Sequence, residues 1–261
     1  MEGRFGRLEI RRPELQAAPE VGSGTAVKDA DHNYASACEA RFWGDHELAL
    51  RLYTRTLSED RGRVAAWCGQ VQMLVQLREY DEARLWADKA LEVFPKQGDL
   101  LACRAQACAR LGDRRDAMAC SDLSMAAPGS SPWRWEVRGE TLLACKEPHH
   151  HDCFDRAACE SGFDWFDYLV IAEILEHYNR LASAMKQVHL ALGKRPDHAY
   201  NWYVLGRCQQ GLGWTGAAKQ SYRRALELAP HYELARHSLA AAGKIALLSR
   251  LLSPFRVWRR R

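Results

Sequence analysis

The chain has 261 residues, of which 47% are hydrophobic and 27% charged, a balance that excludes disorder along its whole length. Its longest apolar runs, such as Leu169 to Ala172, are too short to cross a bilayer, and the opening MEGRFGRLEIRR lacks the apolar stretch of a secretory signal. The expected location is therefore cytoplasmic, with a membrane-peripheral alternative raised by the C-terminus. The net charge of +4 is uneven, because Lys244 to Arg261 contain six basic residues and no acidic one, leaving the rest slightly acidic. Nine cysteines, an odd number with no Cys-x-x-Cys pair, fall in helical stretches and read as free thiols rather than a disulfide framework.

In chain order, residues 1–29 carry no repeat and are expected to be a flexible leader. Phe5, Leu8 and Ile10 stand between charges as in a short strand or docking arm, and AAPEVGSGTAVKD has the composition of a linker. From residue 30 onward the sequence repeats. Trp67, Leu101, Trp135, Tyr168 and Trp202 recur at spacings of 34, 34, 33 and 34. A small column runs Ala37, Val71, Ala105, Gly139, Ala172, Gly206 and Ala240. A second column is Ala49, Ala83, Ala117, Ala184 and Ala218; a third is Thr56, Ala90, Ser124, Ala157, Ala191 and Ala225.

These columns have a direct physical reading. Two antiparallel helices, A and B, joined by a tight turn make each unit, and small residues at fixed positions let their backbones approach. Gly44, Gly112 and Gly213 stand where helix A must end in a left-handed turn, and Pro95, Pro196 and Pro230 stop helix B. One such pair cannot bury its apolar face alone, so the units must stack.

Trp202-x-x-Leu205-Gly206, followed by Gly213, Ala218, Tyr222, Ala225 and Pro230, resembles a near-complete tetratricopeptide repeat. Trp67, Leu74, Tyr80, Ala83, Ala90 and Pro95 resemble a second copy. The resemblance spans roughly residues 30–250 and implies an all-α fold. It implies a right-handed α-solenoid of about six helix-turn-helix repeats, near 30–63, 64–97, 98–131, 132–164, 165–198 and 199–232. A capping helix at 233–251 would close the solenoid within 30–251, leaving 252–261 as a basic, aromatic tail. The unit at 132–164 departs most: it is one residue short and has His150 or His151 where alanine is expected.

The resemblance also implies that the A helices line a concave groove. Its first three units offer Tyr34, Cys38, Arg41, Cys68, Gln72, Val75, Ala102, Gln106 and Ala109. The last three offer Trp133, Glu136, Glu140, Phe166, Leu169, Glu173, Glu176, Tyr200, Tyr203 and Arg207. Aromatic anchors beside four carboxylates suit a protein or peptide partner that carries basic and apolar residues. Some family members clamp an acidic chaperone tail with lysine and asparagine. Tyr34 and Cys38 stand in those places, so that mode is not expected here.

The tail residues Arg256, Trp258, Arg259, Arg260 and Arg261, with the leucines before them, suit an anionic membrane surface and, less well, a nucleic acid backbone. His149, His150, His151 and Cys153 form the one dense set of metal-ligand types, but they are contiguous rather than spaced, which suits a polar turn better than zinc. No phosphate loop, dinucleotide fingerprint or nucleophile elbow occurs. The expectation is a non-catalytic scaffold, adaptor or assembly chaperone without a cofactor. The alternative is a peripheral membrane or nucleic-acid-associated recruitment factor acting through the tail.

Overall fold

The structure is a computed structural model that describes residues 23–243. The candidate strand in RFGRLEIRR, the far end of the capping helix and the basic tail lie outside those residues. Among the described residues all regular structure is helical, as the 34-residue pattern requires. The helices are α1 (Ser23–Phe42), α2 (His46–Glu59), α3 (Val64–Gln76), α4 (Tyr80–Val93), α5 (Gly98–Leu111) and α6 (Arg114–Ala126). They continue with α7 (Pro132–Cys145), α8 (His150–Ala157), α9 (Trp165–His177), α10 (Leu181–Lys194), α11 (Ala199–Gly211) and α12 (Thr215–Leu228). Odd-numbered helices are the A helices and even-numbered ones the B helices, and residues 233–243 are again helical.

Two compact units divide the chain, Met1–Phe163 with α1 to α8 and Asp164–Arg261 with α9 to α12 and the stretch at 233–243. In the first, each helix packs on the next, and α3 meets α5 as α5 meets α7. In the second, α9, α10, α11 and α12 pack successively, and α9 also meets α11. This is the A-on-A, B-between arrangement of a helical solenoid, in which each pair covers the face its neighbour cannot bury alone.

The A-to-B turns repeat one backbone solution. A left-handed residue recurs at Gly44, Arg78, Gly112, Lys146, Asn179 and Gly213, with φ between 57° and 84°. At each turn the next amide reaches back to a carbonyl five residues earlier. Asp45 N donates to Ala40 O at 2.9 Å, Glu79 N to Leu74 O at 2.9 Å, and Arg180 N to Leu175 O at 2.8 Å. That double bond pattern satisfies the last carbonyls of the A helix. Glycine was expected at three of these turns. At Arg78 and Lys146 an ordinary side chain occupies the same conformation, at a cost of about 1–2 kcal/mol for a Cβ in the left-handed region.

The small columns are the closest approaches. Ala37, Val71, Ala105 and Ala172 are fully buried, as are Ala49, Ala83, Ala117, Ala184 and Ala218. A Cβ on Gly139 would overlap the Phe154 ring, and one on Gly206 would overlap the Tyr222 ring. The same column therefore seats the B-helix aromatic of its own pair, and overpacking there costs about 1–3 kcal/mol. Ala240, the last member, is exposed. The large residues at the 34-residue spacing do a second task besides filling space. Trp67 Nε1 donates to Arg61 O at 3.0 Å and Trp202 Nε1 to Pro196 O at 2.8 Å. Arg236, one period later, donates to Pro230 O at 3.1 Å, so the stretch at 233–243 stays in phase.

Two sequence expectations change. Helix α1 starts at Ser23, inside the segment expected to be a flexible leader ending at residue 29. Ala26 and Lys28 are good helix formers and continue a helix that the repeat already nucleates downstream. The irregular fourth pair is explained by length: α8 has only 8 residues, against 13 or 14 in α4, α6, α10 and α12. It is followed by turns over 158–163, where the first compact unit ends. Phe154 and Ala157 are nonetheless buried, so its packing on α7 is retained.

Candidate functional site

The A helices place one polar position of each pair at the same height. In the first unit these are Gln72, Gln106 and Glu140, and in the second Glu173 and Arg207, each five residues after the large residue of its helix. Because stacked A helices present equivalent positions to one another, a side chain on one can reach its counterpart on the next.

Gln106 does so, donating through Nε2 to Glu140 Oε2 at 2.7 Å. Arg110, one turn further along α5, pairs with the other oxygen of Glu140. Both members of that pair are nearly excluded from water, at 6% and 0% exposure of their side chains. In the second unit the Tyr200 hydroxyl donates to Glu173, and Arg207 forms a two-pronged pair with Glu176. Burial, reinforced by the Glu173 charge, holds the Tyr200 hydroxyl well above the usual phenol range, so it stays a proton donor. Burial alone would lower the Arg207 pKa, but Glu176 and its neighbours outweigh it and keep the guanidinium charged.

This corrects the expected row of open carboxylates. Glu136, Glu140 and Glu173 are buried, and Glu176 is bound to Arg207. A buried, hydrogen-bonded ion pair offers little field to a visiting charge, because its own partner already neutralises it. A cation one helical turn from the repeat-equivalent position of the carboxylate, as Arg207 is to Glu176 and Arg110 to Glu140, was the available sequence signal. Gln106 above Glu140 was a weaker one.

The aromatic half of the expected site is assembled in part. Phe166, Leu169 and Tyr200 are buried within the second unit, whereas Tyr203 is half-buried and keeps ring surface in reach of solvent. Tyr200 stacks on it with centroids 6.0 Å apart, Tyr222 lies at 6.0 Å, and Tyr232 meets it edge-on at 5.7 Å. The Arg207 guanidinium lies 5.7 Å from the same ring. Tyr222 and Tyr232, from α12 and the loop after it, were not among the expected site residues. Trp133, in the first unit, is also half-buried and packs beside Ala102, Ala105 and Val137.

Arg134, next to Trp133, is a further buried cation that the sequence did not single out. Its guanidinium is 5% exposed and bonds the carbonyls of Ala127, Pro128 and Gly129, which tie down the loop entering α7. Asp99 lies 3.4 Å from its Nε. Gly98 makes room for it, since a Cβ there would overlap the guanidinium.

The histidine-rich turn does not converge. His149 caps α8 in a left-handed conformation and its Nδ1 lies 2.9 Å from Asp152 Oδ2. His150 packs against His151 and Phe154, His151 is exposed, and Cys153 is buried. Among the described residues no three His, Cys, Asp or Glu side chains are grouped to hold a metal ion. The tail residues Arg256, Trp258, Arg259, Arg260 and Arg261 lie outside the described residues. No described helix is long and apolar enough to cross a membrane.

Comparison with known proteins follows the same lines. The tetratricopeptide-repeat family profile matches residues 199–232, the unit with the fullest motif. No curated protein matches the sequence. The fold is similar to that of a tetratricopeptide repeat protein from Parabacteroides merdae, with 16% identity and a TM-score of 0.50 over 82% of this chain and 84% of that one. It is also similar to the human IFIT1 dimer with m7Gppp-AAAA, with 14% identity and a TM-score of 0.51 over 86% of this chain and 66% of that one. The match at 199–232 makes that unit a tetratricopeptide repeat, and the paired helices in register with six equivalent left-handed turns give the described residues the fold of a tetratricopeptide-repeat solenoid.

Proposed function

We propose that the chain is a non-catalytic adaptor that holds a protein or peptide partner against the A-helix face of its second unit. The observation that carries this reading is Tyr203. Its ring is held by Tyr200, Tyr222 and Tyr232 and flanked by Arg207, yet remains half-buried. A rigid aromatic whose rotamer is set by neighbours loses little entropy on binding, which is the usual property of a binding anchor. The carboxylates of this face are occupied internally, so the preferred partner segment is apolar or aromatic rather than selected for positive charge. That narrows the expectation of a basic and apolar partner to its apolar part.

The test compares affinity capture from native extract by the tagged chain and by its Tyr203→Ala variant. Capture that is lost in Tyr203→Ala, with the melting curve unchanged, supports the reading. A partner captured equally well by Tyr203→Ala removes it. A second reading, recruitment through the basic tail, is favoured by the six cations and paired leucines after residue 243. Deleting residues 252–261 tests it: unchanged binding to vesicles and to RNA would set it aside.

A further inference from the structure

The outward faces of the B helices change sign between the two units. One position recurs along them at the repeat spacing. It reads Thr54, Asp88, Asp122 and Asp155 in the first unit, then His189 and Arg223 in the second. Two of the acids are used internally, Asp88 pairing with Arg104 at 2.6 Å and Asp122 with Arg138 at 2.5 Å. The positions equivalent to Arg104 and Arg138 in the second unit are Ile171 and Leu205, so that acid–arginine pairing is replaced there by apolar A-helix residues beneath basic B-helix ones.

The B helices of the second unit are correspondingly basic. Helix α10 contains Lys186, His189 and Lys194 and no acidic residue. Helix α12 contains Lys219, Arg223 and Arg224 with a single acid, Glu227, which Arg224 engages. Among the described residues Lys186, Lys194, Lys219 and Arg223 have no ion-pair partner. The exposed stripe of α10 runs Ala182, Lys186, His189, Leu190, Gly193 and Lys194, and Leu190 at its centre is 49% exposed. The exposed stripe of α12 is at repeat-equivalent positions, 216, 220, 223, 224 and 227.

The geometry points to this face of α10 and α12 as a docking surface for an anionic lipid bilayer, separate from the Tyr203 site. Unpaired cations on two helices attract an anionic surface, and an exposed leucine among them offers apolar area at the headgroup boundary. The chain that continues from the same unit has the same chemistry, with six cations among Leu247, Leu248, Leu251, Leu252, Phe255 and Trp258. Bulky aliphatic residues beside the charges favour lipid over a nucleic acid backbone, whose phosphates reward the cations alone.

The test uses the full chain and phosphatidylcholine vesicles with and without phosphatidylserine, in a sedimentation assay. The expected result is salt-sensitive partitioning to the anionic vesicles only. The variant Lys186→Gln/Lys194→Gln/Arg223→Gln, with the tail intact, should lower partitioning on the order of tenfold to a hundredfold. All three residues are exposed, and an unchanged melting curve confirms that the fold is kept. Partner capture through Tyr203 should also be unaffected, which separates failure of this proposal from failure of the adaptor reading. Unaltered partitioning of the triple variant overturns the proposal. So does equal binding to neutral vesicles, and so does binding of a polynucleotide through these residues without binding to vesicles.

Discussion

The buried pair of Glu140 and Arg110 allows a quantitative test of how this face is built. Glu140 is fully excluded from water and accepts bonds from both Gln106 and Arg110, so replacing it with alanine removes the counterion of a guanidinium that is itself only 6% exposed. Breaking a buried pair from one side costs about 3–5 kcal/mol, because the remaining charge keeps its desolvation penalty and loses the compensation. Replacing both members with leucine removes the penalty together with the attraction and should cost less, about 1–3 kcal/mol, from the buried Gln106 amide that loses its acceptor. Equilibrium urea denaturation, followed by circular dichroism on wild type, Glu140→Ala, Glu140→Leu, Arg110→Leu and the double leucine variant, measures the coupling from the three leucine variants. Because stacked repeats can unfold in parts, the midpoint of the first unit should be followed with a probe at Trp67 or Trp86, which lie 6.1 Å apart in its core. A single-variant cost below about 1 kcal/mol, or a coupling near zero, would refute the picture of an internally neutralised face.

Other consequences follow from particular contacts. Arg78→Gly and Lys146→Gly should each raise stability by about 1 kcal/mol, as relief of a left-handed Cβ outweighs the added chain entropy; a fall in midpoint would count against the turn assignment. Gly98→Ala should destabilise by about 3 kcal/mol or more, since its methyl group displaces the Arg134 guanidinium from three carbonyls, and thermal melting beside Arg134→Met separates lost bonding from steric clash. Gln70 is fully buried with neither side-chain amide atom bonded, and it stands where Leu205 stands in the sixth pair, so Gln70→Leu should stabilise by about 1–2 kcal/mol in the same melts. Burial, with Arg195 nearby, depresses the pKa of His198 below its ordinary 6.5. The unfolded chain then binds the proton more readily, so stability should be full above that value and decline as pH falls below it. His198→Gln should flatten that part of the pH–stability curve, and an unchanged slope would show that His198 is not its source.

Much of the architecture was legible without coordinates, for a physical reason. Stacking identical units forces the same close contact at each step, so the small residues at those contacts recur in the sequence with the period of the backbone. Ala49, Ala83, Ala117, Ala184 and Ala218 announced the helix pairs in this way, and all are fully buried. The left-handed turns were only half legible: glycine marks three, while Arg78, Lys146 and Asn179 adopt the same φ because the flanking helices impose it. The start of α1 at Ser23 was hidden by a composition that also suits a linker.

The site depended on tertiary structure. A glutamate on an A helix has the same sequence signature whether it meets water, a hydroxyl or a guanidinium, and what it meets is decided one repeat away. Glu140 lies 34 residues from Gln106 and 30 from Arg110, and Glu173 lies 27 from Tyr200, so their hydrogen-bond partners are set by stacking rather than local pattern. The same holds for Tyr203, whose anchoring rings come from three other segments. Sequence periodicity determined the helices, their pairing and the alanine contacts, because those are one short-range rule repeated. Only the folded stack decided which charges are spent internally and which are left for a partner, because that depends on side chains meeting across neighbouring repeats.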